Sequence, residues 1–249
     1  MKSLLPLSCA LLLSSLAITA SEPGHFDRTV KTSGNVDVDV RSDRGGIIIT
    51  TGPTAAVRVR AIIKSMYGRI DLDLSEANIR ALEKNPPIEQ VGNRIRIGYV
   101  TDQAILRGVS MRLEIELPVG TNIRAQTVSG GIRIVGVTGS IATETISGRT
   151  EISDAGGSIT AESRSGAILM TQLAPADIRA HTRSGRIEAT LAKNGGYRID
   201  ARTDSGKISG SATSDRLQGA DRRRLQKQIG AAGGPLVELV AHSSEIAIN

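Results

Sequence analysis

The sequence predicts an all-β fold: a β-solenoid or β-helix-like stack of two-stranded coils, with one short helix near residues 75–84. Three observations carry this reading. Between Ile123 and Gly210 a short phrase returns five times, closing at Ser129-Gly130, Ser147-Gly148, Ser165-Gly166, Ser184-Gly185 and Ser205-Gly206, with steps of 18, 18, 19 and 21 residues between glycines. Self-similarity at a near-fixed period of this size marks a repeat architecture. The copies also agree column by column. Seven residues before each glycine stand Ile123, Ile141, Ile159, Ile178 and Ile199; five before stand Ala125, Thr143, Ala161, Ala180 and Ala201; three before stand Thr127, Thr145, Ser163, Thr182 and Thr203. Finally, these columns alternate with mostly polar positions such as Arg124, Glu144, Glu162, Arg179 and Arg202, and alternation of period two is the mark of a half-buried strand.

Each copy therefore reads as one coil, two strands joined at a Ser-Gly corner, where glycine can adopt positive φ. The second corner also consists of turn formers: Gly139-Ser140, Gly157-Ser158, Pro175-Ala176 and Gly195-Gly196. Stacked at about 4.8 Å per rung, the coils place like above like. Ile ladders fill an interior too narrow for rings, which suits a chain with one Phe, no Trp and 2% aromatics. A β-sandwich of short strands explains the alternation but not the identity of columns at near-constant period.

Along the chain, Met1-Lys2 is a short basic start, Leu4 to Ile18 an apolar run, and Ala17-Ile18-Thr19-Ala20 a small-residue end. This pattern predicts a signal peptide over residues 1–20, too short for a comfortable membrane span. The mature chain, 21–249, is expected as a single domain with an irregular first half (21–120) and a regular second half (121–249) interrupted by an insert at about 211–234. Cys9, the sole cysteine, falls in the removed segment, which excludes disulfides and thiolate chemistry in the mature chain. Leu7-Ser8-Cys9 is a faint lipoprotein box with too little apolar sequence before it.

Residues 21–34 read as a leader and first strand. Asn35 to Val40 alternates as a strand, Asp43-Arg44-Gly45-Gly46 as a turn, and Ile47-Ile48-Ile49 and Val57 to Ile62 as two more strands. Asp37 and Asp39 share one face, without further carboxylates spaced to complete a calcium site. Leu74 to Lys84 has helical spacing, with Ser75 as the expected N-cap and Asn85-Pro86-Pro87 as the stop. Strand resumes from Ile88 to Val100 around a Gly92-Asn93 turn, and again from Met111 to Leu117. After Gly210, Asp221 to Lys227 is basic and Gly230 to Pro235 Gly-rich; the segment predicts a loop or short helix bulging between coils. Leu236 to Ile248 fits the repeat once more, with Ser243-Ser244 in the Ser-Gly place, and is expected to close the stack.

The segments "LEIELPVGTNIRAQTVSG", "SGGIRIVGVTGSIATETISGRTEI" and "GGPLVELVAHSSEIAI" resemble the bacterial β-strand-repeat family known as putative adhesins, an exported domain of unknown function. The resemblance covers roughly the whole mature chain. It implies a fold, but no reaction and no catalytic residues.

Enzyme signatures are missing: the sequence has no G-x-S-x-G, H-E-x-x-H, P-loop or G-x-G-x-x-G. His181 and His242 fall in outward columns, and neither they nor His25 has partner spacing for a metal or a triad. No cofactor and no metal is expected. The repeated serines mark corners rather than nucleophiles. The formal charge of +6 and pI of about 9.8 permit attraction to anionic surfaces. Stacking places Arg149, Arg164, Arg183, Arg186 and Lys207 beside the Ser-Gly corners as a basic stripe. The stripe reads either as charged gatekeepers of a strand-rich surface or as an anion-binding edge for acidic envelope glycan or lipid. Arg222-Arg223-Arg224 with Lys227 forms a second basic element, free to pair with acidic side chains, contact a membrane surface or stay solvated.

The functional expectation is an exported, non-enzymatic binding or scaffold module, periplasmic, secreted or at the cell surface, with an anionic envelope glycan, lipid or envelope protein as partner and no nucleic acid. Two alternatives stand beside it: a polysaccharide lyase or hydrolase on a β-helix, and an envelope-stress accessory protein.

Overall fold

The computed structural model describes residues 22–53, 55–66, 72–193, 195–213, 223–230 and 233–249. The expected signal peptide, with Cys9, lies outside them. No described helix is long and apolar enough to cross a membrane.

The regular part is built as the repeat predicts. β8 (Asn122–Ser129) turns into β9 (Ile132–Val135), β10 (Ile141–Ser147) into β11 (Thr150–Ala155), β12 (Ile159–Ser165) into β13 (Ile168–Gln172), β14 (Ile178–Ser184) into β15 (Ile187–Thr190), and β16 (Tyr197–Thr203) into β17 (Ile208–Ser209). From β8 to β14 the first strands pair in parallel and in exact phase with the repeat, Ile123 with Ile141, Ile141 with Ile159, Ile159 with Ile178. The isoleucine ladders are buried throughout, and burying one such side chain stabilises by roughly 1.5–3 kcal/mol.

The corner glycines owe their place to stacking more than to dihedral freedom. A Cβ on Gly166 would lie 1.9 Å from the carbonyl oxygen of Gly148, and one on Gly185 would lie 2.0 Å from that of Gly166. Each corner rests directly on the corner below, with Gly148 and Gly166 donating their N–H to the carbonyls of Ser165 and Ser184 in the next coil. Inside the same corners the Ser42, Thr182 and Thr203 hydroxyls donate to the carbonyls of Gly45, Gly166 and Ser244.

The segment before residue 120 supplies two further coils. β2 (Asp37–Arg44) and β3 (Ile47–Thr51) form one, with Val38, Val40 and Ser42 in register with Ile123, Ala125 and Thr127. β6 (Arg94–Ile97) and β7 (Val109–Leu117) form the other, outside it, joined through a short 3-10 turn at Gln103–Leu106. Antiparallel strands finish this end: β5 (Ile88–Val91) on β6, then β4 (Ala56–Ser65) on β7 and β1 (Gly24–Lys31) on β4. Helix α1 (Leu72–Lys84) packs on β1 and β4 through Ile79 and Leu82. It begins before the expected N-cap: Ser75 is inside the helix, fully buried, where it accepts a hydrogen bond from Ser65 Oγ at 2.9 Å. An amphipathic spacing sets where a helix runs, whereas Ser is as much at home in a buried hydrogen bond as at a cap.

The C-terminal end departs from expectation. β19 (Leu236–Ala241) and β20 (Ile246–Ile248) do form a coil of the repeat type, but it does not close the stack. β19 lies between β14 and β16, parallel to both, and β20 lies between β15 and β17. The coil β16–β17 is outermost. The preceding insert is not simply a loop or helix either: a 3-10 turn at Ser211–Thr213 is followed by β18 (Arg224–Ile229), which pairs antiparallel with β16 as the edge of its wall. One wall thus runs β1-β4-β7-β3-β9-β11-β13-β15-β20-β17, the other β18-β16-β19-β14-β12-β10-β8-β2-β6-β5.

Candidate functional site

Two columns of outward side chains flank the Ser-Gly corners, and the strand register decides their neighbours. On the β8–β14 wall, the position two before the corner glycine is filled in spatial order by Asp43, Val128, Ile146, Arg164, Arg183, His242 and Asp204. On the other wall, the position just after the corner is filled by Gly131, Arg149, Ala167, Arg186, Glu245 and Lys207.

The expected single basic stripe is therefore split by the corner. Arg164 and Arg183 are neighbours on one wall. Arg149, Arg186 and Lys207 belong to the other, where Ala167 separates the first two and Glu245 the last two. The inserted coil brings that carboxylate in: Lys207 pairs with Glu245 at 3.5 Å, and Arg186 with Glu188 at 3.1 Å. The Ser209 hydroxyl, donating to Glu245, holds its carboxyl below the usual range; Lys207 and Arg186 act in the same direction, and partial burial opposes them. Arg164 and Arg183, by contrast, make no side-chain hydrogen bond or ion pair with another described residue. Both are exposed.

These two arginines share an open depression of about 710 Å³ on the outer wall face with Glu144, Glu162, His181 and His242. Two guanidinium groups one rung apart, without a carboxylate between them, present planar donor forks suited to a carboxylate, sulfate or phosphate. Exposed Ile146, 41% accessible, borders them on the next coil.

Sequence reasoning left the two histidines as separate solvated residues. The structure brings them together. His181 Nε2 lies 3.4 Å from His242 Nε2, with the ring centroids 5.3 Å apart and the rings inclined at 65°. His242 Nδ1 lies 2.6 Å from Asp204 Oδ2. This contact exists because the C-terminal coil sits between the coils that carry His181 and Asp204. With that coil at the end of the stack, His242 would meet Asp204 but not His181. The available signal was the fit of Ala241 to the Thr column, which puts His242 in the Arg183 column, but fit to a column does not say between which coils.

The remaining candidates have ordinary partners. Asp37 accepts from Asn122 Nδ2 at 3.0 Å, and Asp39 from the Tyr99 hydroxyl at 2.8 Å. Arg224 and Lys227 stand on the edge strand β18, while Arg222 lies outside the described residues.

A family model described as Toastrack DUF4097 matches residues 15–249. Among solved structures, the chain is similar to a "putative cell adhesion protein" from Clostridium sporogenes ATCC 15579, with 14% identity, 91% of this chain and 99% of that chain covered, and a TM-score of 0.44. It is also similar to a "putative adhesin" from Bacteroides fragilis NCTC 9343, with 12% identity, coverage of 90% and 97%, and a TM-score of 0.35. No curated protein matches the chain.

Proposed function

The chain belongs to the Toastrack DUF4097 family, and on that footing we propose that it is an exported, non-enzymatic binding and scaffold module of the cell envelope that holds an anionic group at Arg164 and Arg183. Export is read from the basic start, apolar run and small-residue end of residues 1–20. The observation that carries the binding role is the pair of adjacent guanidinium groups in an open depression, unpaired among the described residues, whereas Arg186 and Lys207 have carboxylates beside them. Charge on an exposed strand face keeps a sheet soluble without two like charges being stacked. Stacking them costs a little repulsion, which an anion would relieve.

The test is binding of the purified protein to acidic and neutral envelope glycans and to anionic lipid vesicles, across a salt series. Binding to an acidic ligand should weaken with salt and fall at least about tenfold in the Arg164→Ala, Arg183→Ala double variant, the loss expected of two charge-assisted contacts. Equal binding by variant and parent would remove the site. One observation favours the carbohydrate-active alternative: Glu144 and Glu162 stand in register on adjacent coils within the same depression. Release of shortened chains from any acidic polysaccharide, abolished in Glu162→Gln, would replace the binding module with an enzyme.

A further inference from the structure

We propose that His181 and His242 form a two-histidine site for a zinc-class divalent transition ion, oriented by Asp204. The geometry is that of two ligands waiting for one ion. Zinc–nitrogen bonds of about 2.1 Å meeting at a tetrahedral angle place the two nitrogens about 3.4 Å apart, and the observed Nε2–Nε2 separation is 3.4 Å. The same separation is within reach of a long N–H···N hydrogen bond from His181 to the His242 Nε2 lone pair, and a bound ion would take the place of that proton. The ring centroids at 5.3 Å and the 65° inclination agree with two imidazoles whose Nε2 atoms converge from different directions.

Asp204 supplies the second part of the argument. Its carboxylate accepts from His242 Nδ1, which fixes the proton on Nδ1 and leaves the Nε2 lone pair directed at His181. A carboxylate holding the far nitrogen of a histidine is the usual outer support of a metal-ligating imidazole. All three side chains are exposed, so the site has an entry path. Among the described residues no three such donors converge on one point, and water or an external donor completes the shell. Imidazole ligands select zinc, copper or nickel over magnesium and calcium, which take oxygen.

The charged side chains in the same depression are Arg164, Arg183, Glu144 and Glu162. The guanidinium groups are solvated and screened, and Glu162, the register neighbour of His181, offsets them. The metal reading does not rest on the anion-binding reading. It has its own consequence, because the ion would join β14, the C-terminal coil and the turn after β16, three segments brought together only by the insertion of β19.

The test uses the protein purified without a histidine tag and titrated with zinc chloride, read by calorimetry and by imidazole carbon–proton spectra. The chain has three histidines, so the spectrum is readily assigned. One equivalent of zinc should shift the His181 and His242 signals and leave His25 in place, and magnesium chloride should shift none. Affinity should fall at least about tenfold in His181→Ala and in His242→Ala, and about tenfold in Asp204→Asn. Zinc should raise the unfolding midpoint of the parent, by an amount that keeps growing with the logarithm of free zinc above the Kd, and not that of His181→Ala. The Arg164→Ala, Arg183→Ala variant should keep its zinc, which separates this site from the anion site. Absence of zinc-dependent shifts at His181 and His242, or uptake that survives His181→Ala, overturns the proposal.

Discussion

The two ends of the stack solve the same problem with different elements. At the N-terminal end, the outer coil β6–β7 is covered by β5 on one wall and by β4, β1 and helix α1 on the other. At the C-terminal end, among the described residues, the outer coil β16–β17 has β18 on one wall, and its other strand, β17, is two residues long. Yet the order of coils is the same at both ends. The first coil of the chain, β2–β3, lies inside the later β6–β7, and the last coil, β19–β20, lies inside the earlier β16–β17. Each coil nearest a chain terminus is thus held on both sides, and the outermost coil is supplied by an internal excursion. Each end also carries an antiparallel strand bearing charge, Asp27, Arg28 and Lys31 on β1 and Arg224 and Lys227 on β18, which blunts an edge that would otherwise template further pairing.

The largest effect should come from removing the C-terminal inner coil. Ending the chain at Pro235 takes away Val237, Leu239, Ala241, Ile246 and Ile248, all buried. At roughly 1.5–3 kcal/mol per large aliphatic side chain, the loss is comparable to the roughly 5–15 kcal/mol by which a whole domain is stable. It also leaves β16 without β19 and β17 without β20. Hydrogen exchange should show protection lost over Ile178–Ser209 while β1 to β7 keep theirs, since among the described residues the N-terminal cap shares no hydrogen bond with the deleted coil. Protection lost equally at both ends would mean that the stack unfolds as one unit and the two ends are not independent.

What the sequence could not reveal follows from the same feature. The phrase that runs from Ile123 to Gly210 specifies a coil's inner face, its corner and its register, because period-two alternation and the glycine corners are local. It does not specify which coils are neighbours. Where chain order and spatial order coincide, from β8 to β15, the columns predict real neighbours such as Arg164 beside Arg183. At Leu236 to Ile248 the phrase fits any two facing edges, and the neighbours are decided by the excursion through β16, β17 and β18. That is why Glu245 was not expected between Arg186 and Lys207, nor His242 beside His181. The coil β2–β3 was hidden differently. Its corner reads Arg44-Gly45 rather than Ser-Gly, so Val38, Val40, Ser42, Ile47 and Ile49 carry the pattern without its signature dipeptide. Ser75 was misplaced because propensity alone assigned it a cap.

Alanine at corner glycines should separate the ends more finely. On Gly45 a Cβ would lie 2.3 Å from the Met111 carbonyl oxygen, with φ at 119°. On Gly206 it would lie 1.9 Å from the Ser244 carbonyl oxygen, with no positive φ to add strain. Overpacking costs about 1–3 kcal/mol and a disfavoured left-handed backbone about 1–3 more. Gly45→Ala should therefore lose about 2–6 kcal/mol and Gly206→Ala about 1–3 in urea denaturation, even though the bare overlap is worse at Gly206. The reverse order would show that the thin C-terminal corner is the stiffer of the two.

The smallest effects distinguish two tyrosines, one near each end. The Tyr197 ring is buried against the C-terminal coils, its hydroxyl donating to Gln172 Oε1 at 3.2 Å and accepting from Ala192 N at 3.0 Å. Tyr99, partly exposed near the N-terminal cap, donates to Asp39 at 2.8 Å with the Arg96 guanidinium 4.1 Å from its ring centroid. Tyr197→Phe strands a buried acceptor and should cost about 1–2 kcal/mol, and Tyr99→Phe about 0.5–1. A pH series identifies the second. Burial first, and then the hydrogen bond to Asp39, push the Tyr99 phenol up to about 12 from an ordinary 10.0. The folded chain then holds a proton that the unfolded chain releases, so this contribution is fully present below pH 10.0 and is lost as pH rises toward about 12. Tyr197 shifts in the same direction through burial, so Tyr99→Phe should flatten the alkaline fall in stability without abolishing it. Coincident alkaline curves for Tyr99→Phe and the parent would show that neither the burial of the Tyr99 hydroxyl nor its Asp39 contact persists in solution, and would leave the N-terminal cap held by its apolar face and backbone pairing alone.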